Sequence, residues 1–180
     1  IWTSSGSGQF IPSDTLLNTN YLFSSADTAA GKIQLMLTAT NACVPIVDTI
    51  NVTITDAPTV SANVNQSICA NNPVVTLVGS MTNATGVIWS TFGTGTFAPV
   101  NTILNPSYTL SQAEINAGTV TLMLTSTGNG SCNPARDSLQ LNVTPEPIVS
   151  AGPDQNVCLN SINVLLSGSV TGGASTGTVS

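Results

Sequence analysis

The chain has 180 residues with Lys+Arg 2, Asp+Glu 8 and His 0, a formal net charge of −6. With Lys32 and Arg136 as its only cations it cannot neutralise a row of phosphates, which excludes nucleic acid and anionic membrane surfaces as partners. Without histidine the commonest general base and neutral metal ligand are missing, and 41% hydrophobic against 6% charged residues points to buried cores rather than disorder.

In chain order, the first predicted strand carries Ile1-Trp2 and ends at the turn Ser5-Gly6-Ser7-Gly8. Strands follow around Phe10, Tyr21, Lys32–Thr38, and Ile50, Val52 and Ile54. After the proline-stiffened Asp56-Ala57-Pro58 come strands at Val75 and Leu77 and at Ile88-Trp89, then the turn Gly93-Thr94-Gly95 and the Tyr108 strand. Ser111-Gln112-Ala113-Glu114-Ile115 is the only helix-like patch, about one turn long. Val120, Leu122 and Leu124 alternate with Thr119, Thr121 and Thr125, and Leu139, Leu141 and Val143 repeat the pattern. A period of two, apolar inward and hydroxyl outward, is that of a half-exposed strand. The glycine runs have no following helix and no lysine, so they read as hairpin turns and not phosphate loops. No apolar run approaches the ~20 residues of a membrane helix.

The chain repeats itself. Ile1-Trp2 recurs as Ile88-Trp89, Gly6 and Gly8 as Gly93 and Gly95, Phe10 as Phe97, Pro12 as Pro99, and Tyr21 as Tyr108, all 87 positions apart. Past Gly128-Asn129 the offset becomes 89, matching Cys43 to Cys132, Asp48 to Asp137 and Cys69 to Cys158. The expected organisation is one complete unit at 58–146, with 1–57 the back part of the unit before it and 147–180 the front part of the next. Neither flanking part is expected to bury a core alone, and Ile1-Trp2-Thr3 reads as the middle of a longer chain. About seven short strands per unit, one bearing a tryptophan, predict an all-β immunoglobulin-like β-sandwich, with Trp2 and Trp89 as core residues. Short, proline-stiffened joints predict a rod-like tandem array.

The run Val149-Ser150-Ala151-Gly152-Pro153-Asp154-Gln155-Asn156-Val157-Cys158, followed by Leu166-Ser167-Gly168-Ser169, resembles the PKD-like and immunoglobulin-like repeats of very large Bacteroidota surface proteins. So does the order Trp89, Gly95-Thr96-Phe97, Tyr108, Gly118-Thr119-Val120-Thr121-Leu122, Cys132, Asp137. The resemblance implies type IX secretion and a relation to the giant SprB-like gliding-motility adhesins. The middle unit departs from it, with Asn63-Val64-Asn65 where the next has Gly152-Pro153-Asp154.

Two cysteines per unit in a secreted-looking chain read as disulfides, with Cys69–Cys132 the first candidate and Cys43 and Cys158 pairing outside the sequence. Such a bridge would add about 4 kcal/mol in the chain-entropy model. A bridge between adjacent units and free thiols are the alternatives. Asp14, Asp27, Asp48, Glu114 and Asp137 are scattered singly and form no catalytic pair. Asp48 and Asp137 open equivalent strands, where each carboxylate would accept loop N–H groups. Calcium at Asp56, Glu146 and Asp154 would have too few carboxylates for an ion taking six to eight oxygens. Zinc has neither CxxC pairs nor histidine, so no metal or cofactor is expected.

Asp followed by Thr or Ser and an apolar residue occurs at Thr15, Thr28, Thr49 and Ser138 and is similar to the O-glycosylation acceptor motif of exported Bacteroidota proteins. The same dipeptides also favour turns and strand starts. The sequons at Asn51, Asn65, Asn83, Asn129 and Asn142 read as compositional.

These features predict a non-enzymatic stalk repeat of a large extracellular, cell-surface adhesin or filament that supports adhesion or gliding. Its partners would be neighbouring repeats, surface polysaccharide or other adhesin subunits, without nucleic acid or membrane insertion. The alternative is a carbohydrate- or ligand-binding sandwich module of a secreted protein.

Overall fold

The computed structural model describes residues 1–39, 44–160 and 163–172. The chain divides into two compact units, Ile1–Asp56 and Ala57–Ser180.

In the first unit, β1 (Trp2–Ser4), β4 (Lys32–Ala39) and β5 (Ile46–Thr53) form an antiparallel sheet with β4 in the middle. Trp2 faces Leu37, and Leu35 faces both Ser4 and Ile50, so the apolar rows predicted from the period of two fall in register. β2 (Gln9–Ile11) pairs with β3 (Asn20–Leu22), and the helix α1 (Ser25–Ala30) follows. The sequence reading, with Ser111–Ile115 as its only helix-like patch, did not anticipate α1.

The second unit opens with β6 (Thr59–Ser61), β7 (Gln66–Cys69), β8 (Val74–Thr76), β9 (Ser80–Thr82), β10 (Gly86–Thr91) and β11 (Thr96–Ala98). β12 (Ser107–Thr109), α2 (Gln112–Ala117), β13 (Thr119–Thr127), β14 (Arg136–Thr144), β15 (Ile148–Ser150) and β16 (Ser169–Thr171) complete it. One sheet runs β10-β13-β14-β7, with β7 parallel to β14 and the other pairs antiparallel. Against it lie the sheet β11-β12-β8 and the pair β6-β9, while β15 and β16 pair only with each other.

The core between these layers is built from both. Trp89, Val120, Leu122, Leu124, Leu139 and Leu141 come from the four-stranded sheet and meet Ala62, Leu77, Tyr108 and Leu110. Each buried leucine or valine among them contributes about 1.5–3 kcal/mol by leaving water. This is the all-β, immunoglobulin-like sandwich of the sequence reading, closed around Trp89.

The same positions behave differently in the first unit. Leu139 has no exposure, whereas its counterpart Ile50 is 49% exposed, and Trp2 is half-buried where Trp89 is fully enclosed. In the second unit Ala62 and Leu77 cover that face and Ile68 extends it as part of the neighbouring strand β7. Within unit Ile1–Asp56, the part not expected to bury a core alone, Trp2 is half-buried and not enclosed.

The glycine runs also differ from expectation. β10 and β11 belong to different sheets, so Gly93-Thr94-Gly95 carries the chain from one layer to the other and is not a hairpin. Ser5-Gly6-Ser7-Gly8 does the same between β1 and β2.

Candidate functional site

The most elaborate polar structure is a buried carboxylate node, present in both units. In the second unit Ser111 caps α2, its side chain receiving the Glu114 N–H while the Glu114 carboxylate returns to the Ser111 N–H. This reciprocal pairing satisfies two amide donors that the first helical turn leaves open. Glu114 is only 4% exposed. Its Oε1 accepts the Tyr108 hydroxyl at 2.6 Å and its Oε2 accepts the Ser111 N–H at 2.8 Å. The Gly95 N–H donates to the same carboxylate.

The first unit repeats the node 87 residues earlier with a shorter acid. Asp27, 2% exposed, accepts from the Ser7 N–H at 2.8 Å, the Ser24 N–H at 3.0 Å and the Tyr21 hydroxyl at 3.2 Å. Its helix is capped by Ser24 with the same reciprocal pairing.

The node explains the glycines. A Cβ on Gly93 would collide with the Glu114 carboxylate. One on Gly95 would stand 2.6 Å from both Glu114 Oε2 and Thr109 O, so the crossover must be bare backbone there.

Burial pushes the Glu114 carboxyl up, but the hydrogen bonds from Tyr108, Ser111 and Gly95 outweigh it and hold it below the usual 4.5. The Ser24 N–H likewise leads in holding Asp27 below 3.8, against the opposing effect of burial. Burial, and then the bond to Glu114, pushes the Tyr108 hydroxyl up to about 12. Near neutral pH the glutamate is therefore ionised and the tyrosine protonated. The pair clamps helix, strand and crossover together and has no proton to exchange at that pH.

The remaining predicted residues lie apart from this node. Cys69 pairs in register with Thr144 at the C-terminal end of β14, and Cys132 precedes the N-terminal end of the same strand. The nine residues of β14 span about 30 Å, against the ~7 Å limit between Cα atoms in a disulfide. The expected Cys69–Cys132 bridge is therefore not formed: the parallel pairing of β7 puts Cys69 at one end of β14, and Cys132 precedes the other. Peptide mapping of the oxidised chain should find no Cys69–Cys132 linkage, and finding that linkage would contradict the β7–β14 register. Cys158 is exposed, and Cys43 lies outside the described residues.

The candidate acceptors Thr15, Thr28, Thr49 and Ser138 are all exposed. The Asp preceding Thr28 is the buried Asp27 of the node, and the Thr28 hydroxyl donates to Ser25 O at 2.9 Å. The Asp preceding Ser138 accepts the Ala62 N–H at 2.8 Å, the loop contact expected of Asp137, while Asp48 accepts the N–H of its neighbour Thr49. Among the described residues no group of three or more His, Cys, Asp or Glu comes together to hold a metal ion. Among them too, no helix is long and apolar enough to cross a membrane.

Sequence reading left Asp27 and Glu114 as singly scattered acids. The signal that would have found them is Ser24-x-x-Asp27 against Ser111-x-x-Glu114, a capping box at the same 87-residue offset as the tyrosines.

Comparison with known proteins returns no matching family model and no matching curated protein. Among solved structures, a PKD domain of human KIAA0319 is similar over 57% of this chain and 91% of its own, at 17% identity and a TM-score of 0.37. The immunoglobulin domains 1–4 of Sidekick-1 match over 85% of this chain, at 19% identity and a TM-score of 0.42. Domains EC22–24 of mouse cadherin-23 match over 81%, at 16% identity and a TM-score of 0.34. The chain spans 45% of the Sidekick-1 structure and 52% of the cadherin-23 structure. The fold assignment rests on the sheets and core described above.

Proposed function

We infer that this chain is a structural repeat segment of a very large extracellular, cell-surface adhesin or filament, with no catalytic role. Residues 58–146 are one complete repeat, 1–57 the back part of the repeat before it and 147–180 the front part of the next. Successive sandwiches hold a distal binding element away from the cell and resist force and proteolysis. The observation that carries this reading is the repetition of the buried node, in which Tyr21, Ser24 and Asp27 match Tyr108, Ser111 and Glu114 in residue spacing and hydrogen bonding. Each copy spends its one buried acid on clamping a helix to a strand, a use suited to stability.

The resemblance to gliding-motility adhesins extends the reading to type IX export and surface motility. Glycans on Thr15, Thr28, Thr49 and Ser138 would solvate a surface poor in charge. Antibodies raised against the 180-residue chain should decorate intact, unpermeabilised cells along extended filaments. Mass spectrometry of the native protein should find hexose-containing additions on at least one of the four hydroxyls. Labelling confined to the cell interior would overturn the proposal.

A further inference from the structure

Phe92 is the most exposed aromatic residue of the chain, the next being Phe23 at 42%. Its ring is 96% exposed, at the start of the crossover that Glu114 fixes from beneath. Beside it runs a groove of about 460 Å³, with Ala113 and Ala117 of α2 on one side and Thr119 and Thr121 of β13 on the other. The counterpart of Phe92 in the first unit is Ser5, which lines a comparable groove of about 400 Å³ with Lys32 and Gln34 but offers no aromatic ring there. Ser5 donates its N–H to Gln34 O at 2.9 Å, and its hydroxyl accepts the Gln34 N–H at 2.9 Å. A phenyl ring offers no such acceptor, so the N–H of Thr121, the counterpart of Gln34, has no equivalent side-chain partner.

We propose that Phe92 and this groove form a binding site for a neutral carbohydrate, with the sugar ring stacked on the phenyl face. A pyranose has an apolar C–H face and an edge of hydroxyls. The groove has an apolar platform, Phe92 with Ala113 and Ala117, beside the exposed threonines of β13. A purely apolar partner would desolvate those threonine hydroxyls without replacing their hydrogen bonds. An ionic ligand would find no counter-charge, because the one charged group lining the groove, Glu114, is turned inward and occupied by Tyr108 and Ser111. The backbone that carries the ring is fixed, because Gly93 and Gly95 are pressed against the node. Because the first unit has serine here, the site belongs to one repeat and is independent of the structural role common to both.

The test is titration of the full 180-residue chain with cellohexaose, laminarihexaose and chitohexaose, followed by calorimetry and amide shift mapping. Saturable binding of at least one is expected, with shifts at Thr94, Thr119 and Thr121. Phe92→Ala should weaken it tenfold or more, and Phe92→Trp should retain it. Because the side chain is solvent-exposed, neither change should alter the unfolding transition. Absence of saturable binding by all three, or affinity unchanged in Phe92→Ala, would overturn the proposal. So would Phe92-dependent binding of an uncharged extended peptide in their place.

Discussion

Replacing Trp89 with alanine is expected to destabilise the second unit by about 3–5 kcal/mol, the range for deleting a large enclosed aromatic. The indole is fully buried and tightly fitted, with the ring so close to Gly79 that a Cβ there would sit 3.3 Å from Trp89 Cζ2. It is also held at its polar atoms. Trp89 Nε1 donates to Leu104 O at 3.2 Å, and Asn101 Nδ2 donates to the Trp89 carbonyl at 2.8 Å. Truncation leaves a cavity and takes from Leu104 O one of its two donors, the other being the Gly79 N–H at 3.1 Å. Small domains hold only about 5–15 kcal/mol in total, so the variant should unfold at markedly lower urea. With a typical urea dependence the midpoint should fall by about 2 M, read from far-UV circular dichroism. Trp2→Ala is the internal control. Trp2 makes the matching bond, Nε1 to Leu17 O at 3.3 Å, but is half-buried, so its loss should cost markedly less. Equal effects from the two changes would contradict a sandwich closed around Trp89.

The distance between those two tryptophans also measures what the sequence could reveal. The 87-residue offset was legible because core positions tolerate few residue types, so Trp, Phe, Tyr and the alternating leucines recur in place. It holds even to the acceptors, since Leu17 and Leu104 receive the two indole N–H groups. The node was harder to read. Aspartate and glutamate differ by a methylene, and Asp-Thr resembles a turn, so neither acid stood out until each was seen against its serine cap. The cysteines failed for another reason. Spacing along the chain does not say which end of a strand a residue occupies, and the parallel pairing of β7 with β14 sends Cys69 away from Cys132. The glycine runs were likewise read locally, whereas what requires glycine there is a carboxylate about twenty residues further on.

Glu114→Ala should cost about 3–4 kcal/mol, because three donors lose one acceptor together. Tyr108 Oη, the Ser111 N–H and the Ser111 hydroxyl all donate to the carboxylate, and a buried donor left without a partner costs about 1–3 kcal/mol. Tyr108→Phe removes a single donor and leaves the carboxylate its amide bonds, so about 1–2 kcal/mol is expected. The double variant should be less destabilised than the sum, with a coupling of about 1 kcal/mol or more, since the two groups bond each other directly. Acidity should separate the partners. Glu114 is held below 4.5 in the folded chain, so its contribution is full above pH 4.5 and is lost as the pH falls through the folded value. Tyr108 is raised from 10.0 to about 12, so its contribution is full below pH 10 and is lost as the pH rises through 12. Urea midpoints measured across pH should therefore show a plateau with an acid limb and an alkaline limb. Tyr108→Phe should flatten the alkaline limb, while Glu114→Ala should reduce the acid limb and leave the share that Asp27 contributes in the first unit. An unchanged alkaline limb in Tyr108→Phe would mean that this hydroxyl is not held by the Glu114 carboxylate, and the clamp would have to be reassigned.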